Sequence, residues 1–189
     1  VALGPGANRK MWKEGQRVAV RMLYSCGECY NCRTGHTNMC TQAQRKPVRE
    51  GMIPGPGGLC DQIVVSTKDL FLIPDDISYE EASLTEPLAC CVHSIEIGDI
   101  QLGDDVVVIG GGIMGINHVM LAKRKGARVI ISEVDEDRRK LALSLGADVA
   151  INPMECDVVE KVKELTGGRG ADVVFNTTAI PSVVPEAIA

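Results

Sequence analysis

A glycine-rich turn set between an apolar strand and a helix restricts this chain more than any other feature. Residues 106–109 read Val-Val-Val-Ile, and Gly110, Gly112 and Gly115 follow in a G-x-G-x-x-G pattern that opens a segment of helical spacing at 113–125. A strand apolar at every position must be covered on both faces, as in a parallel sheet with helices on either side. The alternation continues with strands at 129–131, 149–151 and 173–175 and helices at 135–145 and 156–166, with Gly146 just past the end of the first. This predicts an α/β fold built on a doubly wound parallel sheet, incomplete because a full one has about six strands.

The turn carries a chemical expectation. The first glycine permits the tight bend, the second lets backbone approach a pyrophosphate, and the third lets helix and strand pack closely, with the helix N-terminus facing the phosphate charge. Gly110, Gly112, Met114 and Gly115 are therefore candidate pyrophosphate contacts. An acid about 20 residues on can accept hydrogen bonds from the ribose hydroxyls and would repel a 2′-phosphate. Glu133 stands there, followed by Val134 with no adjacent base, which favours NAD over NADP. The plain alternative is a solvated glutamate at a strand end. Arg138 either lies by the adenosine or is a solvent-facing helix arginine, and residues 135–137 read as an acidic helix start.

The first half reads differently. Short β-rich runs at 18–22, 62–65 and 70–73 surround a Pro- and Gly-rich loop at 45–58, and a short helix is expected at 79–84. Pro87 suits the first turn of a longer helix reaching residue 97. The two regions divide as 1–87 and 88–189. Within the first, Cys26, Cys29, Cys32 and Cys40 are spaced C-x2-C-x2-C-x7-C. Four thiolates so close can surround one tetrahedral zinc ion, and a closed four-sulfur shell leaves no position for substrate, so such a zinc is structural. Its binding free energy, ~10–16 kcal/mol in zinc peptides, can order a loop with little core. A disulfide pair fits an oxidising compartment. An iron–sulfur cluster favours a shorter last gap followed by Pro, where this chain has x7 and Thr41. Cys60, Cys90, Cys91 and Cys156 lack partner spacing and read as small buried hydrophobes.

Composition narrows the classes. Aromatic residues are 3%, too few for a base-stacking platform. The net charge of −5 with dispersed Lys and Arg argues against nucleic-acid binding. No apolar run approaches the ~18–20 residues of a membrane span. A soluble, cytoplasmic protein with no nucleic-acid or membrane partner is expected. The first residue is Val1 and the last, Ala189, falls within a helical pattern, so the chain reads as an internal piece of a longer protein.

A four-cysteine lobe upstream of a dinucleotide fold, joined by Glu86-Pro87-Leu88, resembles the zinc-dependent medium-chain alcohol dehydrogenases, nearest their polyol (sorbitol-type) and threonine dehydrogenase branch. Glu14-Gly15-Gln16-Arg17-Val18, Gly57-Gly58-Leu59, Ile73-Pro74-Asp75, Leu145-Gly146-Ala147-Asp148 and Gly168-Arg169-Gly170-Ala171-Asp172-Val173-Val174 carry the resemblance as well. It implies a partial GroES-like catalytic domain followed by a partial Rossmann domain. It implies oxidation of a secondary alcohol, a polyol or sugar alcohol, to a ketone by NAD, with threonine 3-dehydrogenase chemistry or a non-catalytic module as alternatives. A second, catalytic zinc is implied in the parent protein, with Glu86 ligating it or hydrogen-bonding its water. Glu86 as a mere cap of the following helix is the other reading. The remaining ligands, a Cys and a Gly-His-Glu segment, are expected upstream of Val1, so the chain alone is expected to be inactive. His36, His93 and His118 match none of them and read as structural. A homo-oligomer, dimer or tetramer, is implied.

Overall fold

The computed structural model describes residues 2–21, 23–43, 58 and 60–188. Most of the expected 45–58 loop, and Gly57 and Leu59, lie outside them. The chain separates into two compact units, Val1–Ser83 and Leu84–Ala189.

In the first unit, β1 (Val18–Val20) and β2 (Leu70–Leu72) form an antiparallel pair with Val18 opposite Leu72 and Val20 opposite Leu70. The run at 62–65 is not a strand. A strand persists only where a neighbour takes up its backbone groups, and none pairs with it among the described residues. Helix α1 (Tyr30–Arg33) lies within the cysteine segment. Helix α2 (Tyr79–Ala82) is set by a capping box in which Ser78 accepts from the Glu81 N–H and Glu81 accepts from the Ser78 N–H. Among the described residues of this unit, only Ser25 and Cys40 are buried. Two paired strands with so little core are marginal in water.

The second unit has a conventional core. Helix α3 (Thr85–Ile97) precedes β3 (Asp105–Ile109), α4 (Ile113–Arg124), β4 (Arg128–Ser132), α5 (Glu136–Ser144), β5 (Val149–Ile151), α6 (Val158–Leu165), β6 (Val173–Asn176) and the short α7 (Val184–Ile188). The four strands are parallel in the order β5-β4-β3-β6. The period-2 alternation of β3 places Val106 and Val108 in one apolar cluster with α3, α4 and α5, and Val107 and Ile109 in another with α6. The sheet is thus covered on both faces. The strand order reverses at β3, which puts a crevice at the carboxyl ends of β3 and its neighbours.

A short motif recurs to set the register. Gly146-Ala147-Asp148-Val149 leads into β5 and Gly170-Ala171-Asp172-Val173 into β6. Each aspartate forms a reciprocal pair with the strand beside it. Asp148 N–H donates to Val129 O at 2.8 Å, while Val129 N–H donates to the Asp148 carboxylate at 2.7 Å. Asp172 N–H donates to Asp105 O at 2.8 Å, and Asp105 N–H donates to the Asp172 carboxylate at 2.8 Å. Lys123 holds Asp148 at 2.7 Å, and Arg128 and Arg169 neutralise the buried Asp105 at 3.4 and 3.0 Å.

Two expectations follow for stability. Asp172→Ala removes the acceptor for the Asp105 N–H and should lower stability by about 1–3 kcal/mol, read as a drop in the thermal midpoint, with Asp172→Asn costing less. Burial alone would raise the Asp148 carboxyl pKa, but Lys123 and the Val129 N–H outweigh it and hold the group below its ordinary value. Its contribution is therefore present above the unfolded value of about 3.9 and is lost as pH falls through the lower folded value. Acid titration of Asp148→Asn should show a smaller loss over that range than the parent.

Candidate functional site

The turn after β3 is built by close contact. A Cβ on Gly115 would lie 1.8 Å from the Gly110 carbonyl oxygen, so no other residue lets α4 start this near the strand. Gly110 itself has φ +98°, and a Cβ there would meet Thr178 at 2.8 Å and Thr177 at 2.9 Å. Gly112, the N-cap of α4, faces open space and offers no side-chain cap. The first-turn N–H groups of α4, with no acidic side chain among them, remain free to meet an anion. Met114 turns its thioether toward Cys91 of α3, 4.0 Å away, and what it presents to the turn is its N–H.

Glu133 ends β4 and is buried, 6% exposed, which removes the reading of a solvated glutamate. One carboxylate oxygen accepts from the Gly111 N–H and the other from the Asp135 N–H at 2.9 Å. Arg139 donates to the carbonyls of Glu133 and Val134 at 2.8 and 2.7 Å and fixes the end of the strand. Arg138 is exposed on the first turn of α5, and a Cβ added to Gly111 would lie 3.3 Å from its Cβ. The acidic start of α5 includes the N-cap, where Asp135 accepts from the Arg138 N–H at 2.9 Å. Sequence reasoning passed over Thr177, whose hydroxyl donates to Ile109 O at 2.9 Å and closes the turn from the β6 side. It also passed over Gly111, whose missing Cβ admits Glu133. Three glycines in a row were the available signal for the latter, whereas Thr177 needed the strand order.

The four cysteines gather. The sulfurs of Cys26, Cys29, Cys32 and Cys40 all lie within 4.8 Å of one another, and those of Cys26 and Cys32 are 3.9 Å apart. Zinc–sulfur bonds of about 2.3 Å in a tetrahedron require sulfur–sulfur edges of about 3.8 Å, so the donor set fits zinc. Backbone N–H groups of Glu28 and Cys29 point at Cys26 Sγ at 3.4 and 3.3 Å, and those of Cys26 and Gln42 at Cys40 Sγ at 3.4 Å. The Cys32 and Thr41 N–H groups hold the Cys29 thiol down at about 6, burial pushes Cys32 up to about 11, and the Cys26 N–H lowers Cys40.

Other expectations are corrected. Glu86 lies inside the first turn of α3, whose N-cap is Leu84, so it is not the cap. It is exposed and takes the Cys90 thiol at 3.5 Å. Of the remaining cysteines only Cys91 is buried, while Cys60, Cys90 and Cys156 are exposed. On α3 the buried stripe runs through Cys91 and Ile95, which turns Cys90 outward with Glu86. His118 is buried, donating from Nδ1 to Met114 O at 2.8 Å and meeting the Phe175 ring at a tilt of 38°, whereas His36 and His93 are exposed. Among the described residues no histidine joins a metal-binding group.

Together these features define a dinucleotide-binding α/β unit preceded by a cysteine metal lobe. The chain belongs to the zinc-dependent medium-chain alcohol dehydrogenase family: the profile for the alcohol dehydrogenase GroES-like domain matches residues 1–75, and that for zinc-binding dehydrogenases matches residues 114–189. It is 36% identical over 184 residues to D-arabitol-phosphate dehydrogenase of Enterococcus avium, covering 94% of this chain and 51% of that protein. It is 34% identical over 189 residues to L-threonine 3-dehydrogenase of Pyrococcus horikoshii, covering 100% of this chain and 52% of that protein. A Sinorhizobium meliloti protein described as a zinc-binding dehydrogenase and bound to NADP shares the fold with a TM-score of 0.84 and 30% identity, over 99% of this chain and 54% of that one. The chain spans about half the length of the curated relatives it matches.

Metal analysis of the purified protein should find zinc bound by the cysteines, and a brown, iron-containing product would remove that assignment. Because the Cys32 and Thr41 N–H groups hold the Cys29 thiol below its ordinary value, zinc binding at pH 8 should release fewer than four protons, the number rising as pH falls and affinity weakens. Calorimetric titrations in buffers of different ionisation enthalpy measure that number.

Proposed function

We propose that the chain is part of an enzyme that oxidises a secondary alcohol, a polyol or sugar alcohol, to a ketone with NAD as acceptor. The observation that carries this reading is one crevice holding both the uncapped start of α4 and the buried Glu133 carboxylate. Gly110, Gly112 and Gly115, with the Met114 N–H, hold the pyrophosphate. Glu133 accepts hydrogen bonds from the ribose hydroxyls and repels a 2′-phosphate, and Arg138 flanks the adenosine. NAD, when bound, supplies the hydride acceptor, and a catalytic zinc lowers the pKa of the substrate hydroxyl. Glu86, exposed at the start of α3, is the chain's own contribution beside that metal, as ligand or as acceptor for its water. The four cysteines hold a structural zinc that keeps their lobe ordered.

The division into a GroES-like catalytic region, 1–87, and a dinucleotide-binding region, 88–189, belongs to this reading, as do a cytoplasmic location and a homo-oligomeric state, dimer or tetramer. No described helix is long and apolar enough to cross a membrane. Threonine oxidation is the competing chemistry, supported by the match to the threonine dehydrogenase of Pyrococcus horikoshii, which takes in all of this chain and 52% of that protein.

In the intact protein, a panel of polyols, polyol phosphates and threonine with NAD and NADP should give the highest kcat/KM for a polyol with NAD. Turnover of threonine alone would favour the competing chemistry. Glu133→Ala should weaken NAD binding roughly 10–100-fold, the range for a lost charge-assisted hydrogen bond, and narrow the margin over NADP. Unchanged affinity would take Glu133 out of the ribose role.

A further inference from the structure

The segment that delivers the first cysteine is braced by contacts that metal ligation does not require. Arg21 follows β1, and its N–H donates to Asp69 O at 2.7 Å. Its guanidinium grips the Asp69 carboxylate from Nε and Nη2 at 3.2 and 2.8 Å, and Nη2 also donates to the Ser25 hydroxyl at 3.0 Å. Ser25 is 7% exposed and immediately precedes Cys26. Asp69 closes the 3-10 turn Thr67–Asp69, which runs directly into β2. Lys68 of the same turn sits over the Tyr24 ring, 5.8 Å from its centre. The stretch before Cys26 is therefore tied to the β1–β2 pair by the Arg21 N–H, by Lys68 over Tyr24 and, next to the cysteine itself, by the Arg21 guanidinium.

We propose that Arg21 is a positioning residue for the metal lobe, its guanidinium bridging Asp69 and Ser25 so that Cys26 is presented to the other three sulfurs in a fixed place. The planar fork of arginine suits this task because it engages two acceptors at once, which a lysine ammonium on a flexible stem does less well. Among its described residues the unit has almost no other core to hold the segment. Loss of the bridge lets the Ser25–Cys26 backbone move, and a thiolate that swings away from the metal opens it to attack. Outer groups that orient ligands typically change metal affinity by about 10–100-fold when removed. The inference rests on zinc at the cysteines and is independent of the alcohol chemistry.

The test follows zinc transfer from the intact protein to a chromophoric chelator, together with the absorption bands of the cobalt-substituted form. Arg21→Ala should release zinc at least about tenfold faster and alter the cobalt bands. Arg21→Lys, which retains a cation for Asp69, should fall between Arg21→Ala and the parent. Ser25→Ala leaves both partners of the Arg21–Asp69 ion pair in place, and it should also release zinc faster, which covers the case in which Arg21→Ala does not fold. Lys123→Ala, in the other unit, serves as the control and should leave release unchanged. Parent-like release and cobalt bands in both Arg21→Ala and Ser25→Ala would overturn the proposal. So would a parent that carries no zinc, whereas zinc retention without alcohol oxidation would count only against the proposed reaction.

Discussion

The carbonyl of Gly110 and the backbone of Gly115 meet so closely that a single added carbon would lie 1.8 Å from oxygen. That contact lets α4 begin immediately above the end of β3, with its first N–H groups unoccupied by any side chain. Glu133 can close over the turn only because residue 111 has no Cβ, and Thr177 reaches the turn only because β6 lies directly beside β3. The crevice is thus a consequence of backbone proximity, with side chains filling the places that glycine leaves open.

The two units are held together internally by different physics. In the second, twelve buried residues on one face of the sheet and five on the other supply apolar burial of the ordinary kind, each large side chain contributing about 1.5–3 kcal/mol. Aspartates at the start of β5 and β6 then select the register by pairing with both backbone groups of a neighbouring residue. In the first unit, burial among the described residues reduces to Ser25 and Cys40. Order there depends on the sulfur cluster, on backbone N–H groups aimed at the sulfurs, and on polar bridges such as Arg21 to Asp69. A lobe of that kind is sensitive to its metal and to the groups that aim its ligands.

Strong local patterns were legible in advance. The strand at 106–109, the helices after it, the glycine turn and the cysteine spacing all declared themselves because each rests on a period or an interval within a few residues. The weak points were of the other kind. The run at 62–65 has strand composition but no partner among the described residues. Pro87 marks a first helical turn correctly, yet the helix starts earlier, at Thr85, which moves Glu86 from a cap to the interior. Cys60, Cys90 and Cys156 share an apolar residue type with Cys91, but composition does not say which way a side chain faces.

What the sequence determined by itself was the alternation of strands and helices, the place of the phosphate turn and the clustering of four sulfur donors, because these follow from spacing along one stretch of chain. Tertiary structure alone decided that Glu133 is buried against Gly111, that Thr177 closes the turn, and that Arg21 reaches Asp69. Each of those depends on which strand lies beside which, or on where a distant loop returns. No local pattern encodes that, since the energy lies in contacts between residues far apart in the chain.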